Sequence, residues 1–162
     1  MPDMLVNLLR LPPVEPALAE ARGAGVVVRR ARPWESSQVR EFVGENFGRA
    51  WADEVAVGLA RQPVTVFVAL RGGRLVGFAA YECSRKDFFG PAGVAEVERG
   101  RGLGRALLLA ALRGLRELGY AYAVIGGVGP AEFYERAAGA RLIPDSSPGI
   151  YADPLVGGGG GQ

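Results

Sequence analysis

The stretch Val94–Gly119, VAEVERGRGLGRALLLAALRGLRELG, decides the fold. Its short apolar lead, Val94 to Val97, reads as the end of a strand. The lead runs into Arg99-Gly100-Arg101-Gly102-Leu103-Gly104, and a long helical pattern follows at once. Gly102 and Gly104 allow a tight turn and expose backbone N–H groups, because no Cβ stands in front of them. Those groups fall in the first turn of the helix, where the N–H donors lack intrahelical acceptors. Such a turn suits an anion, and the helix dipole adds to the attraction. Arg99, Arg101 and Arg105 bring positive charge to the same place. The spacing predicts a diphosphate cradle between a strand and a helix; a glycine-rich turn with solvated arginines is the plainer alternative.

Two common nucleotide motifs do not fit. A P-loop carries Lys followed by Ser or Thr after its last glycine, and this turn has neither. A dinucleotide fingerprint spaces its glycines as Gly-x-Gly-x-x-Gly, and here the last of those places is Arg105.

Further on stands Phe133-Tyr134-Glu135-Arg136-Ala137-Ala138-Gly139-Ala140, an aromatic pair on a short helical segment closed by glycine. The ordered pair of motifs, Arg-x-x-Gly-x-Gly before a leucine-rich helix and then this segment, resembles the GNAT superfamily of acyl-CoA-dependent N-acetyltransferases. The resemblance covers roughly Val26 to Tyr151. It implies an α/β fold with a single mixed, splayed β-sheet flanked by helices, and acetyl-CoA as acyl donor. The implied reaction is acetyl transfer to a primary amine, on a small molecule or a peptide, by direct attack on the thioester. By the same resemblance the backbone of Gly93 and Val94 pairs with the pantetheine amides. The N–H groups of Arg101, Gly102, Leu103, Gly104 and Arg105 hold the diphosphate, and Arg99, at the family's Gln/Arg position, counts with the cofactor-binding residues, its side chain serving either the ligand or the turn. Tyr134 matches the general acid near the sulfur, since a phenol near pKa 10 holds a proton at neutral pH.

The sequence departs from the family pattern at Gly127 and Pro130, where an asparagine and an alanine are common. The general base is harder to place. Between Phe88 and Val94 there is no carboxylate, and Glu82 and Asp87 are the nearest upstream; Glu82 is the candidate base. Phe88, Phe89 and Tyr151 are candidates for an apolar acceptor wall. A non-catalytic acyl-CoA-binding sensor of the same fold is the alternative that Gly127 and the missing base leave open.

The 162 residues suit one domain with a sizeable core. With 49% hydrophobic and 22% charged residues the composition is that of a globular chain. A net charge of +2 with mixed signs argues against a broad nucleic-acid surface. The chain has no histidine, which excludes imidazole catalysis, and no cluster points to a metal. Cys83 is alone, so no internal disulfide forms, and a reducing, cytoplasmic setting is expected. No stretch reaches the roughly eighteen apolar residues of a membrane span. Met1 to Leu11 does not read as a secretion signal.

Residues 1–25 read as an N-terminal extension, either an extra strand or an arm that joins two subunits of a homodimer. Residues 26–152 read as the acetyltransferase-like domain and 153–162 as a flexible, glycine-rich tail. Within the domain, Val26–Ala31 is an expected strand. Trp34–Phe47 and Ala50–Arg61 are expected helices, with Trp34 and Trp51 as core anchors. Val64–Leu70 and Leu75–Tyr81 form an expected hairpin about Gly72-Gly73. Then come a helix over Leu103–Leu118, a strand over Tyr120–Gly126, a helix over Ala131–Ala138 and a strand from Ala140. A last edge strand is expected at Ile150-Tyr151.

Overall fold

The structure is a computed structural model and describes residues 1–157. The glycine run beyond Gly157, expected as part of a flexible tail, lies outside the described residues. The strands are β1 (Met4–Asn7), β2 (Val26–Arg30), β3 (Val66–Arg71), β4 (Arg74–Tyr81), β5 (Phe88–Val94), β6 (Tyr122–Ile125) and β7 (Arg141–Leu142). The helices are α1 (Glu15–Gly23), α2 (Ser36–Phe47), α3 (Arg49–Leu59), α4 (Leu103–Glu117) and α5 (Ala131–Ala138). One mixed sheet runs in the order β2-β3-β4-β5-β6-β1-β7. Its pairs are antiparallel except β5 with β6, which is parallel.

Alternation along β3 shows how the two faces are filled. Phe67 and Ala69 point into a core shared with α1 and α4, whereas Val66 and Val68 point into a second core with α2 and α3. A strand buried on both faces reads as the apolar run that VTVFVAL is. Helix α4 is buried almost all round from Ala106 to Leu112, because α1 and α5 flank it while the sheet lies beneath. It approaches β4 closely at Gly114, where a Cβ would stand 2.6 Å from the Tyr81 ring.

Strand β5 changes partners midway. Phe88 and Phe89 pair with Val124 and Ile125, and there the β5–β6 ladder stops. On the other side Tyr81 faces Phe89 and Ala79 faces Ala92, so Gly90 and Pro91 together oppose Ala80 alone. That is a bulge, which bends a strand and increases its twist. Pro91 also brings no N–H to a ladder. The sheet therefore splays between β5 and β6, as the family resemblance implies.

Four expectations are corrected. Of the two readings of the N-terminal segment the extra strand holds, but inside the domain rather than ahead of Val26: β1 lies between β6 and β7, and α1 packs on α4. Met4, Val6 and Leu8, the apolar residues of the supposed dimer arm, are in this chain's own core. The strand before the cradle ends at Val94; Glu96–Glu98 is a 3₁₀ turn and Val97 is 83% exposed. Glu98 instead takes a bidentate hold from Arg71, at 3.1 and 2.9 Å. Ile150-Tyr151 belongs to a 3₁₀ turn, not an edge strand. Trp34 is 78% exposed and stacks under Arg32 at 5.9 Å, because the Pro33–Glu35 turn carries it outside α2.

The β4–β5 loop holds two carboxylates in left-handed backbone, Glu82 at φ 57° and Asp87 at φ 65°. Glu82 is buried and accepts from the Asp87 backbone N–H and from the Tyr120 hydroxyl, at 3.2 Å for the nearer oxygen. Burial, and then the charge of Glu82, push the Asp87 carboxyl up to about 6. Asp87 Oδ1 is buried without a hydrogen-bond partner among the described residues.

Two stability predictions follow from these contacts. Gly114→Ala should lower the urea midpoint, because overpacking costs roughly 1–3 kcal/mol and exceeds the helical gain of about 1 kcal/mol. Gly44→Ala should raise it, since that Cβ meets only Ala52 at 3.7 Å; equal midpoints for the two variants would show that Tyr81 yields. For Asp87 the folded-state value lies above the unfolded one, so the proton is held more tightly in the folded state. Stability is lost as pH rises through that window, up to about 6. Asp87→Asn should raise the melting temperature at pH 8, with the gain shrinking toward pH 4 in a thermal series.

Candidate active site

The cradle forms where predicted. Gly100 and Gly102 take φ of 81° and 78°, and Gly102 is the left-handed residue that opens α4. No side chain caps this end. The first return bond is from Ala106 N–H to the Gly102 carbonyl, so the N–H groups of Leu103, Gly104 and Arg105 precede the intrahelical ladder. The Leu103 side chain is buried in the core, which leaves its backbone as its contribution. The carboxylate of Glu20, on α1, stands 3.5 Å from the place of a Cβ on Gly102.

The arginines divide. Arg99 Nε donates to the Val94 carbonyl at 3.1 Å, so its side chain serves the turn. Arg101 is 3.6 Å from Glu98, and Arg71 holds the same carboxylate. Arg71, Glu98 and Arg101 thereby link the β3–β4 hairpin to the cradle. Arg105 is exposed on the first turn of α4.

A cavity of about 550 Å³ starts beside the cradle, at Arg99 and Gly104, and follows the splay. It opens to both faces of the sheet. Leu107, Leu108, Phe133 and Tyr134 belong to the α4 side, and Phe47, Trp51 and Phe78 to the α2–α3 side. Gly93 and Val94 line it where β5 has no β6 neighbour. Gly93 must be glycine for a local reason: a Cβ there would stand 2.5 Å from the Phe47 ring. Tyr134 is wedged edge-on between Phe89 at 6.2 Å and Phe133 at 5.1 Å. Burial pushes its phenol above the ordinary value, so it stays protonated at neutral pH.

Of the expected site residues, Tyr134, Arg99, Gly93, Val94 and Gly104 line this cavity, whereas Arg101, Gly102, Leu103 and Arg105 lie outside its lining. Glu82 is a correction: it lies outside the cavity lining, and its carboxylate is taken up by the β4–β5 loop and Tyr120. Of the expected wall, Phe89 and Tyr151 line the cavity, whereas Phe88 packs beneath Gly126.

Two residues are absent from the sequence reading. Glu54, on α3, lines the cavity one helical turn beyond Ala50 and Trp51. Burial pushes its carboxyl up; Tyr151 is raised first by its own burial and then by the charges of Glu54 and Asp3. The four-residue step from Ala50 was the available signal. Asp3 is buried and accepts from the Gly127 N–H at 2.8 Å, while the Pro2 carbonyl accepts from Val128 at 2.9 Å. The turn at Gly127, which lacks the family's amide, is thus clamped by the N-terminal strand. No local pattern could reveal a partner so distant in sequence.

Among the described residues no group of His, Cys, Asp and Glu is placed to hold a metal ion, and no helix is long and apolar enough to cross a membrane.

A model of the acetyltransferase (GNAT) domain matches residues 62–137, which include β3 to β6, the cradle and Tyr134. A search among curated proteins finds no match. Among solved structures the chain is similar to the GCN5-related glucosamine N-acetyltransferase region of a fungal multi-domain GH3 beta-N-acetylglucosaminidase. That match has a TM-score of 0.71 at 19% identity and covers 88% of this chain and 19% of the other. A GCN5-related N-acetyltransferase from Sphaerobacter thermophilus matches with a TM-score of 0.61 at 21% identity, covering 88% and 48%. A GNAT family acetyltransferase from Brucella melitensis, solved with acetyl-CoA, matches with a TM-score of 0.57 at 22% identity, covering 73% and 86%. The chain therefore spans about a fifth of the first relative and about half of the second. These structures share its fold, and the family model covers the cradle and the aromatic pair. Residues 62–137 are thus identified as an acetyltransferase (GNAT) domain, and the chain has the fold of these structures.

Proposed function

We propose that the protein transfers an acetyl group from acetyl-CoA to a primary amine by direct attack, with Tyr134 as general acid. The observation that carries this reading is the cavity that runs from the cradle through the splay to Tyr134 and opens on both faces of the sheet. Acetyl-CoA, when bound, supplies the thioester that the amine attacks. The residues present fit it. The N–H groups opening α4 have neither a capping side chain nor an intrahelical acceptor, and Gly102 keeps a Cβ out of the way. Gly93 and Val94 lack a β6 neighbour on the side a pantetheine arm would take. Tyr134 holds a proton and is half-buried in the cavity wall, where it can meet charge growing on sulfur. The two faces of the cavity then separate the roles, with donor on the α4 side and acceptor on the α2–α3 side.

The sensor reading retains one argument: Arg99 already donates to the Val94 carbonyl, a group the pantetheine would use. Turnover decides between the two.

Calorimetry should show acetyl-CoA and CoA binding. Gly102→Val should weaken both more than Arg101→Ala does, since it fills the cradle and strains a left-handed backbone, whereas Arg101 also serves Glu98. No heat and no thermal shift at millimolar ligand would reject the reading. Tyr134→Phe keeps the ring between Phe89 and Phe133 and removes only the hydroxyl. General acid catalysis is worth about 10²–10⁴-fold, and a thiolate leaves readily, so kcat should fall about 10²-fold with acetyl-CoA affinity unchanged. A loss under about threefold with chemistry limiting would make Tyr134 a packing residue.

A further inference from the structure

The acceptor side of the cavity has a simple composition. Phe47 stacks on Trp51 at 5.4 Å, and Phe78 meets both rings, at 5.5 and 6.2 Å. Tyr151 closes the opposite side over Gly127. Among the described lining residues Glu54 is the single carboxylate, and Arg99, at the cradle end, is the single cationic side chain. Glu54 projects from the same face of α3 as Trp51, so the charge sits at the rim of the aromatic wall. Its carboxylate forms none of the salt bridges found among the described residues.

Resting on the acetyl-transfer reading, we propose that the acceptor is a monoamine carrying a flat apolar body, with Glu54 binding its ammonium and then accepting a proton from it. One carboxylate matches one ammonium. A second ammonium, as in a polyamine, would lie against Phe47, Trp51 and Phe78 without a counter-ion, which is costly in a desolvated site. A sugar amine would set several hydroxyls against the same rings, with Ser84 and Tyr151 as the side-chain hydroxyls that the described lining offers besides Tyr134. An aromatic body gains instead by ring-to-ring contact.

The protons balance. Glu54 takes one from the ammonium, and the neutral nitrogen attacks the thioester carbon. The new C–N bond forms and the C–S bond breaks. The departing thiolate takes the Tyr134 proton, and the nitrogen gives up its second proton, which restores the phenol. Glu54 returns its proton to solvent, so one proton leaves per turnover along with free CoA thiol and the amide.

The test has two readouts. Thiol release is compared for phenethylamine, tryptamine, spermidine and glucosamine. Phenethylamine binding to the CoA-loaded protein is measured by calorimetry for the wild type and for Glu54→Gln. The aromatic monoamines should exceed the other two about tenfold or more in kcat/KM. Glu54→Gln should weaken phenethylamine binding about tenfold or more while CoA binding stays the same, because it removes a charge-assisted contact at constant size. Higher or equal turnover of spermidine or glucosamine would overturn the proposal and leave acetyl transfer standing. So would phenethylamine binding that Glu54→Gln leaves unchanged. A protein that fails to bind acetyl-CoA would overturn both.

Discussion

The bulge at Gly90-Pro91 is the constraint on which the rest depends. A parallel ladder between β5 and β6 would satisfy the backbone of both strands and seal the sheet. Two residues opposite one, and a proline without an N–H, end that ladder after Phe89. Buried backbone groups need partners, so an opened ladder either takes up water or receives a chain that can pair with it. The same opening stops the two cores from meeting as closed layers. Phe47 leans across from α2 onto Gly93, and Tyr134 leans in from α5 beside Phe89, and the space between them is the cavity. A local irregularity of one residue thus decides that the sheet has a usable interior.

Around this opening the charges are sparse, and several of the arginines are already engaged. Arg99 is spent on a carbonyl, and Arg101 and Arg71 share Glu98. Attraction of an anion therefore falls to the N–H groups at the start of α4, with the arginines setting their background. Glu20 stands on the other side of the turn and opposes that attraction. The turn is built more from backbone geometry than from ionised side chains.

Much of this was legible in the sequence, because the decisive signals are local. Glycine spacing before the leucine run set the cradle, the double glycine between β3 and β4 set the hairpin, and an apolar run gave a strand buried on both faces. The misses share a cause: they depend on partners far along the chain. Met4-Leu5-Val6-Asn7 is short and followed by prolines, so nothing local separates an arm from a sheet strand. Its alternation, with Met4 and Val6 inward, acquires meaning only beside β6. Val97 looked like strand because it is apolar, but its acidic neighbours belong to a turn held by Arg71. Glu82 looked catalytic because it lies upstream of the cradle, and only the fold shows it turned toward Tyr120. Glu54 reads as a surface carboxylate until α3 is laid against the splay.

The position of β1 has a consequence for how the molecule is assembled. Its four residues pair with Tyr122–Ile125 and its first two with Arg141–Leu142, contacts of very high sequence separation. Closing so long a loop costs entropy that local contacts do not return, so this pairing comes late in folding. On the ribosome Met4, Val6 and Leu8 emerge well before the strands that flank them in the sheet, and β6 and β7 must then accept a strand made long before them. In that interval an apolar segment and two unpaired strand edges are exposed together, which is the moment of greatest exposure to misassembly. The Asp3 clamp on Gly127 is made in the same closing step. The turn that shapes the cavity is therefore fastened only when β1 has met β6 and β7, so an assembled site reports that this long-range closure has been made.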